Sequence, residues 1–236
     1  MPINSLFMDH QSFNHAIFSL WERFFDEKAD VYVPLILPPL VDGELLFIGN
    51  NPSFSVKGFR RFLTGTNFSH IDPQSFFHWR NRHQFDLETA IQIERLAKEK
   101  YAYFNKFKDI SEDTGLKWEH IDLFFFRETK QDNFKRLILD GKNLKSFAIE
   151  QLSLSKKLLE TINPMIIVVV NAFASDVFKK TFGSKFDEKL GYYKTIVNGR
   201  SVPTFLGSML TGQRAMDRFS YQRLRWHIGI TVRHMK

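Results

Sequence analysis

The sequence predicts an α/β fold: a three-layer α/β/α arrangement around a central, mainly parallel four-stranded sheet, in a single domain over residues 1–236. Three observations predict it. Short, wholly apolar runs at Leu45–Ile48, Ile121–Phe126 and Met165–Val170 have the length and continuity of strands buried on both faces. Between them, apolar residues recur at helical spacing, and helix and strand in alternation imply crossover connections. A chain of 236 residues that is 43% hydrophobic, with 26 Phe, carries enough apolar area for one substantial core.

Each element has its own signal. Asp9 is an N-cap, and Phe13, Ile17, Leu20 and Phe24 recur behind it, so a helix runs to about Lys28. Pro34, Pro38 and Pro39 stop regular structure. The strand Leu45–Ile48 opens into a tight loop at Gly49-Asn50-Asn51-Pro52. Residues 54–85 lack clean periodicity and read as a long surface excursion with short helical turns. From Asp86, the residues Ile93, Leu96, Ala97, Tyr101 and Phe104 form the next helical stripe, followed by the strand Ile121–Phe126. Phe147, Leu154, Leu158 and Ile162 give a third helix, which Pro164 ends before the β-branched strand Met165–Val170. A short helix carries Phe173, Val177 and Phe178. Tyr192–Val197 and Ser201–Leu206 flank Asn198-Gly199, the signal of a two-residue hairpin. In the closing helix, Ala215, Phe219, Arg223 and Trp226 fall on one face.

Composition narrows the chemistry. With no cysteine, structural disulfides, thiolate zinc sites and cysteine nucleophiles are excluded. No apolar run is long enough to span a bilayer, and Asp9 and His10 interrupt the N-terminus before a signal-peptide core can form. The expectation is a cytoplasmic monomer with no membrane association. A net charge of +7 favours polyanionic partners. Phosphate-binding loops of the Gly-x-x-x-x-Gly-Lys and Gly-x-Gly-x-x-Gly types are absent, and Ser53 and Ser208 lack a nucleophile-elbow pattern. His78 and His83 are wrongly spaced for a shared helix face, so they read as loop histidines, and no metal or organic cofactor is expected.

In parallel sheets ligands bind beyond the carboxyl ends of the strands, which directs attention to Asn50–Ser53, Arg127, Asn171 and Gly207–Gln213. The segment Leu45-Leu46-Phe47-Ile48-Gly49-Asn50-Asn51-Pro52-Ser53 resembles the first motif of the uracil-DNA glycosylase superfamily, in its mismatch-specific and single-strand-selective branches. There an apolar strand precedes Gly-x-Asn-Pro-Gly; Gly49, Asn51 and Pro52 match, and Ser53 replaces the last glycine. Three later features keep the family's order. Gly65-Thr66-Asn67-Phe68 resembles the segment that brings a stacking ring to the target base, and Ile121–Phe126 the strand that leads to a base-reading residue. Gly207-Ser208-Met209-Leu210-Thr211-Gly212-Gln213-Arg214 stands in place of the second signature, without the family's histidine and proline.

The resemblance implies hydrolysis of the N-glycosidic bond of a flipped uracil or related damaged base in single- or double-stranded DNA, without metal or cofactor. Asn51 is then the catalytic residue that positions water, with Gly49, Pro52, Ser53, Phe54, Phe68, Asp122 and Ser208 around the base. Lys57, Arg60, Arg61 and Arg214 contact phosphates, and Met209 and Leu210 act as wedges. Arg80, Arg82 and His83, interleaved with Phe76, Phe77, Trp79 and Phe85, have the pattern of a phosphate-binding and base-stacking surface. An amide suits the water-positioning task because it carries no charge to repel phosphates; equally, Asn51 is the residue type that caps an ordinary turn. Two other functions fit the same residues: a nucleic-acid-binding module without activity, and an α/β enzyme acting on a small phosphorylated metabolite.

Overall fold

The computed structural model of the chain describes residues 9–40, 43–212 and 214–235; of the segments singled out in the sequence, residues 1–8 and Gln213 lie outside them. In chain order the elements are α1 (His10–Phe24), β1 (Leu45–Gly49), α2 (Val56–Leu63), α3 (Pro73–Phe77), α4 (Leu87–Lys100), α5 (Asn105–Thr114), β2 (Trp118–Asp122), α6 (Gln131–Ile138), β3 (Leu139–Asp140), β4 (Asn143–Leu144), α7 (Ser146–Ile162), β5 (Ile166–Val170), α8 (Ala172–Thr181), β6 (Lys185–Asp187), β7 (Tyr192–Val197), β8 (Arg200–Gly207) and α9 (Arg218–Met235). The chain divides into two compact units. The first takes residues up to Pro39, Asn51–Glu99 and Phe124–Thr161; the second takes Leu40–Asn50, Lys100–Leu123 and everything from Ile162.

The second unit contains a mainly parallel six-stranded sheet in the order β2-β1-β5-β8-β7-β6. β2, β1, β5 and β8 run parallel, β7 pairs antiparallel with β8, and β6 in turn pairs antiparallel with β7. The sheet therefore has two strands more than expected, both on the hairpin side. Every residue of β1 and β5 is buried, the condition under which a strand reads as a continuous apolar run. Leu45, Phe47, Ile166, Val168, Val170 and Phe205 pack with Phe107 and Ile110 of α5 and with Tyr221, Ile228 and Val232 of α9. The hairpin turn has Asn198 at φ 50° and Gly199 at φ 77°, the left-handed pair that a two-residue turn demands.

β2 begins and ends earlier than its apolar run. Ile121 is in the strand, but Leu123–Phe126 lie beyond it, and the first residues of the strand are Trp118, Glu119 and His120. Glu119 and His120 are buried polar residues, 1% and 9% exposed, so the start of the strand carries no apolar signature.

The first unit has a core built largely of rings. Asp9 caps α1 by accepting from the Ser12 N–H at 2.8 Å. Trp21 packs edge-on against Phe147 at 5.1 Å, and Phe54, Phe59 and Phe77 form a mutually packed group. Residues 54–85 do form short helical turns, but they are not a surface excursion: Leu63, Phe77 and Trp79 are at most 1% exposed. Proline keeps residues 33–37 out of helix, and buried Asn14 holds them extended by exchanging two hydrogen bonds with the Leu37 backbone, at 2.9 and 2.8 Å.

Candidate functional site

The chain leaves the second unit for the first between Asn50 and Asn51, just after β1, and again between Leu123 and Phe124, just after β2. These two exits carry most of the chemistry-bearing residues, and each unit holds its own set.

In the first unit the Asn51 side-chain amide nitrogen is shared among three backbone carbonyls: Glu128 at 2.7 Å, Phe126 at 3.1 Å and Pro52 at 3.3 Å. Carbonyls only accept, so the NH2 must face them and the amide orientation is settled by its surroundings. The Glu128 N–H donates back to the Pro52 carbonyl at 3.2 Å, closing the link between the two loops. Beside it, Thr129 Oγ1 donates to the Phe54 carbonyl at 2.7 Å, which leaves the Ser53 hydroxyl as the donor in its 3.1 Å bond to Thr129. The backbone N–H groups of Ser53 and Phe54 make no hydrogen bond among the described residues. The Phe54 ring is 6% exposed and packs against Tyr32 at 4.5 Å, so it serves the core while its backbone lines the loop.

Arg127 anchors this loop from below. Its side chain is 2% exposed, paired with Glu94, and its guanidinium lies 4.7 Å from the Phe77 ring centre and 5.8 Å from that of Phe54. Phe68 is half-buried in the turn after α2, its N–H bonded to Thr66 Oγ1 at 3.1 Å. Lys57, Arg60 and Arg61 share one exposed face of α2; Arg60 is paired with Asp72. In the interleaved run near residue 80, two of the rings face the core and two of the cations have partners within the unit, while Arg80 and His83 are exposed. Phe77 and Trp79 are fully buried, Arg82 stacks on Trp79 at 4.9 Å and pairs with Glu27, and Arg80 donates to the Lys28 carbonyl. Those cations tie the segment to the end of α1.

The second unit holds a buried polar group in which the sequence reading named Asp122 and Gly49 but missed His120 and Tyr103. His120 and Asp122 lie two apart on β2, hence on the same side of the strand, with Nε2 and Oδ1 3.8 Å apart. Tyr103 packs edge-on against His120 at 6.1 Å, and burial, reinforced by Asp122, pushes its hydroxyl well above the ordinary tyrosine range. The strand period was the available signal: once Asp122 is singled out, His120 follows as its neighbour on that face. Gly49, paired with Asp122 across β1 and β2, completes the group.

The loop after β8 is held at its base by Ser175, whose hydroxyl donates to the Gly207 carbonyl at 3.0 Å. Ser208 and Met209 are half-buried, and Arg214 is exposed. Leu210 is 1% exposed and belongs to the core beneath the sheet, which corrects its assignment as a wedge: it packs the loop down rather than projecting from it.

Among the described residues no group of three or more His, Asp or Glu side chains is arranged to hold a metal ion, and no helix is long and apolar enough to cross a membrane. Comparison with models of known protein families gives no match, and neither does comparison with curated proteins.

Proposed function

We propose that the protein is a uracil-DNA-glycosylase-like hydrolase that removes a flipped uracil or related damaged base from DNA. On this reading residues 1–236 form one monomeric, cytoplasmic three-layer α/β/α domain whose four parallel strands are its centre, and neither metal nor organic cofactor takes part. The carrying observation is the loop at Asn51, with its amide orientation set by the carbonyls of Phe126 and Glu128 and followed by two N–H donors at Ser53 and Phe54.

Cleaving an N-glycosidic bond needs a water aimed at C1′ and donors aimed at the departing base, whose negative charge grows in the transition state. With its nitrogen committed to carbonyls, Asn51 offers its Oδ1 as the acceptor that orients the water. The water oxygen bonds to C1′, the C1′–N bond breaks, and its electron pair leaves with the base. The Ser53 and Phe54 N–H groups stabilise that charge until the base takes up the proton that the water loses on bonding to C1′, and Phe68 stacks on the extruded ring.

A second reading has two observations in its favour. The loop after β8 lacks the family's histidine, and its Leu210 is buried, as suits a nucleic-acid-binding module without activity. Oligonucleotides bearing uracil, hypoxanthine or a G·T mismatch, treated with alkali after incubation, test both. Excision predicts strand breaks that fall about 10²-fold or more in Asn51→Ala. Salt-sensitive binding without breaks assigns the protein to the second reading, and neither breaks nor binding overturns both.

A further inference from the structure

The apolar stripe of the closing helix points outward. Phe219 and Trp226 on α9 are 71% and 64% exposed, although both are large aromatics, while the opposite side of the helix buries Tyr221, Ile228, Thr231 and Val232. With Gln222 and Arg223, the two rings line a shallow open groove of about 440 Å³. Ile230 and Arg233 continue the same stripe one and two turns further on. Two large rings side by side on one helix face, lining a common groove, form a contiguous apolar patch of the kind that marks an interaction surface.

The charge around the rings says which occupant. Arg218, Arg223 and Arg233 are exposed and make no ion pair among the described residues. Asp217, the nearest acid in sequence, is used up as the cap of α9, accepting from the Phe219 and Ser220 N–H groups at 2.9 and 3.0 Å. Asp113 is paired with Arg225 to one side of the stripe. A second copy of the chain pairing this face with itself would bring arginine against arginine, with no acid to meet them. A bilayer surface calls for a broad apolar face, and α9 has already buried its own. Rings alternating with guanidinium groups, about 10 Å from one ring to the next along the helix, match flat bases strung on a phosphate chain.

We propose that the outward face of α9 binds single-stranded nucleic acid, with Phe219 and Trp226 as base-stacking rings and Arg223 as the phosphate contact between them. The surface does not depend on the excision reading, since stacking a strand requires no chemistry.

The test is titration with fluorescein-labelled oligothymidylate, followed by anisotropy and by quenching of tryptophan emission. Trp21 and Trp79 are fully buried and Trp118 is half-buried, so Trp226 is the solvent-exposed reporter. Binding is expected to weaken with salt and to quench Trp226. Phe219→Ala and Trp226→Ala each weaken it roughly 5- to 100-fold, with thermal unfolding unchanged because both rings lie outside the core. Arg223→Ala lowers the slope of log affinity against log salt by about 0.7. Asn51→Ala binds the strand as wild type does, so loss of excision with retained binding sinks only the glycosylase reading. No binding, or equal binding by wild type, Phe219→Ala and Trp226→Ala, overturns the proposal. So does a concentration-dependent dimer, or adsorption to anionic vesicles, that Trp226→Ala abolishes while strand binding is absent.

Discussion

A Cβ atom on Gly49 would stand 2.1 Å from Asp122 Oδ1 and 3.0 Å from His120 Nε2. The glycine is required for space, since its backbone is ordinary strand and the Asp122 carboxylate lies across its Cα. Gly49→Ala must displace the buried Asp122 and His120 side chains, and overpacking of this kind costs about 1–3 kcal/mol. Urea unfolding is expected to show that loss in Gly49→Ala and a markedly smaller one when the substitution is made in Asp122→Ala. Equal losses in the two backgrounds would contradict the contact.

Beneath the hairpin runs a directed chain of buried hydroxyls. Thr204 donates to the Val202 carbonyl at 3.1 Å, so it accepts from Thr195 at 2.8 Å, which in turn accepts from Ser184 at 2.7 Å. Thr195→Val keeps the shape but breaks both links, leaving Ser184 without its acceptor. A destabilisation of about 1–3 kcal/mol is expected in chemical denaturation. Ser184→Ala, at the donor end of the chain, costs less.

Much of this was legible in the sequence, and the failures have physical reasons. Leu45–Ile48 and Met165–Val170 announced themselves because strands buried on both faces need no alternation, and Asn198-Gly199 because few residues accept positive φ. The start of β2 was hidden by Glu119 and His120, polar residues whose burial depends on long-range neighbours. Periodicity placed Phe219 and Trp226 on one face of α9 but could not say which face was inward, because Tyr221, Leu224, Ile228 and Val232 repeat at the same spacing. Asn51 stood out from its local pattern. Its carbonyl partners did not, lying 75 and 77 residues further along the chain.

Glu94 and Arg127 form a buried pair, and breaking it from either end leaves different things behind. Glu94→Ala strands a guanidinium that is 2% exposed among Phe54 and Phe77, and is expected to cost about 3–5 kcal/mol. Arg127→Met fills the same ring-lined space with an apolar chain and leaves behind a carboxylate that is 13% exposed. Its midpoint in urea should lie above that of Glu94→Ala; the reverse order would show that the stranded guanidinium is not the larger cost.

Alkaline pH should weaken the second unit through two tyrosines. Burial, with Asp109 nearby, pushes Tyr221 up to about 12, against the opposing pull of Arg225, and burial raises Tyr103 in the same direction. In the unfolded chain both titrate near 10, so above that pH the unfolded state has released protons that the native state still holds. Their contribution is complete below about pH 10 and declines as pH rises towards 12. Denaturation midpoints measured across that window should fall, with a shallower fall in Tyr103→Phe and Tyr221→Phe.

Asn51 can be probed for structure apart from chemistry by the choice of replacement. Asn51→Ala removes the amide and leaves the Phe126 and Glu128 carbonyls to find water, a change of about 1 kcal/mol at a half-buried site. Asn51→Asp instead sets a carboxylate oxygen against three carbonyls, none of which can donate, so the loop must open or the acid must take a proton. Aspartate is therefore expected to be the more destabilising of the two at neutral pH, and to recover towards the alanine value on acidification, when a protonated carboxyl can donate to Glu128. Chemical denaturation at neutral and acidic pH reads this directly. A variant in which aspartate is as stable as asparagine at neutral pH would mean that the amide is not held by these carbonyls, and the orientation on which its proposed role depends would be lost with them.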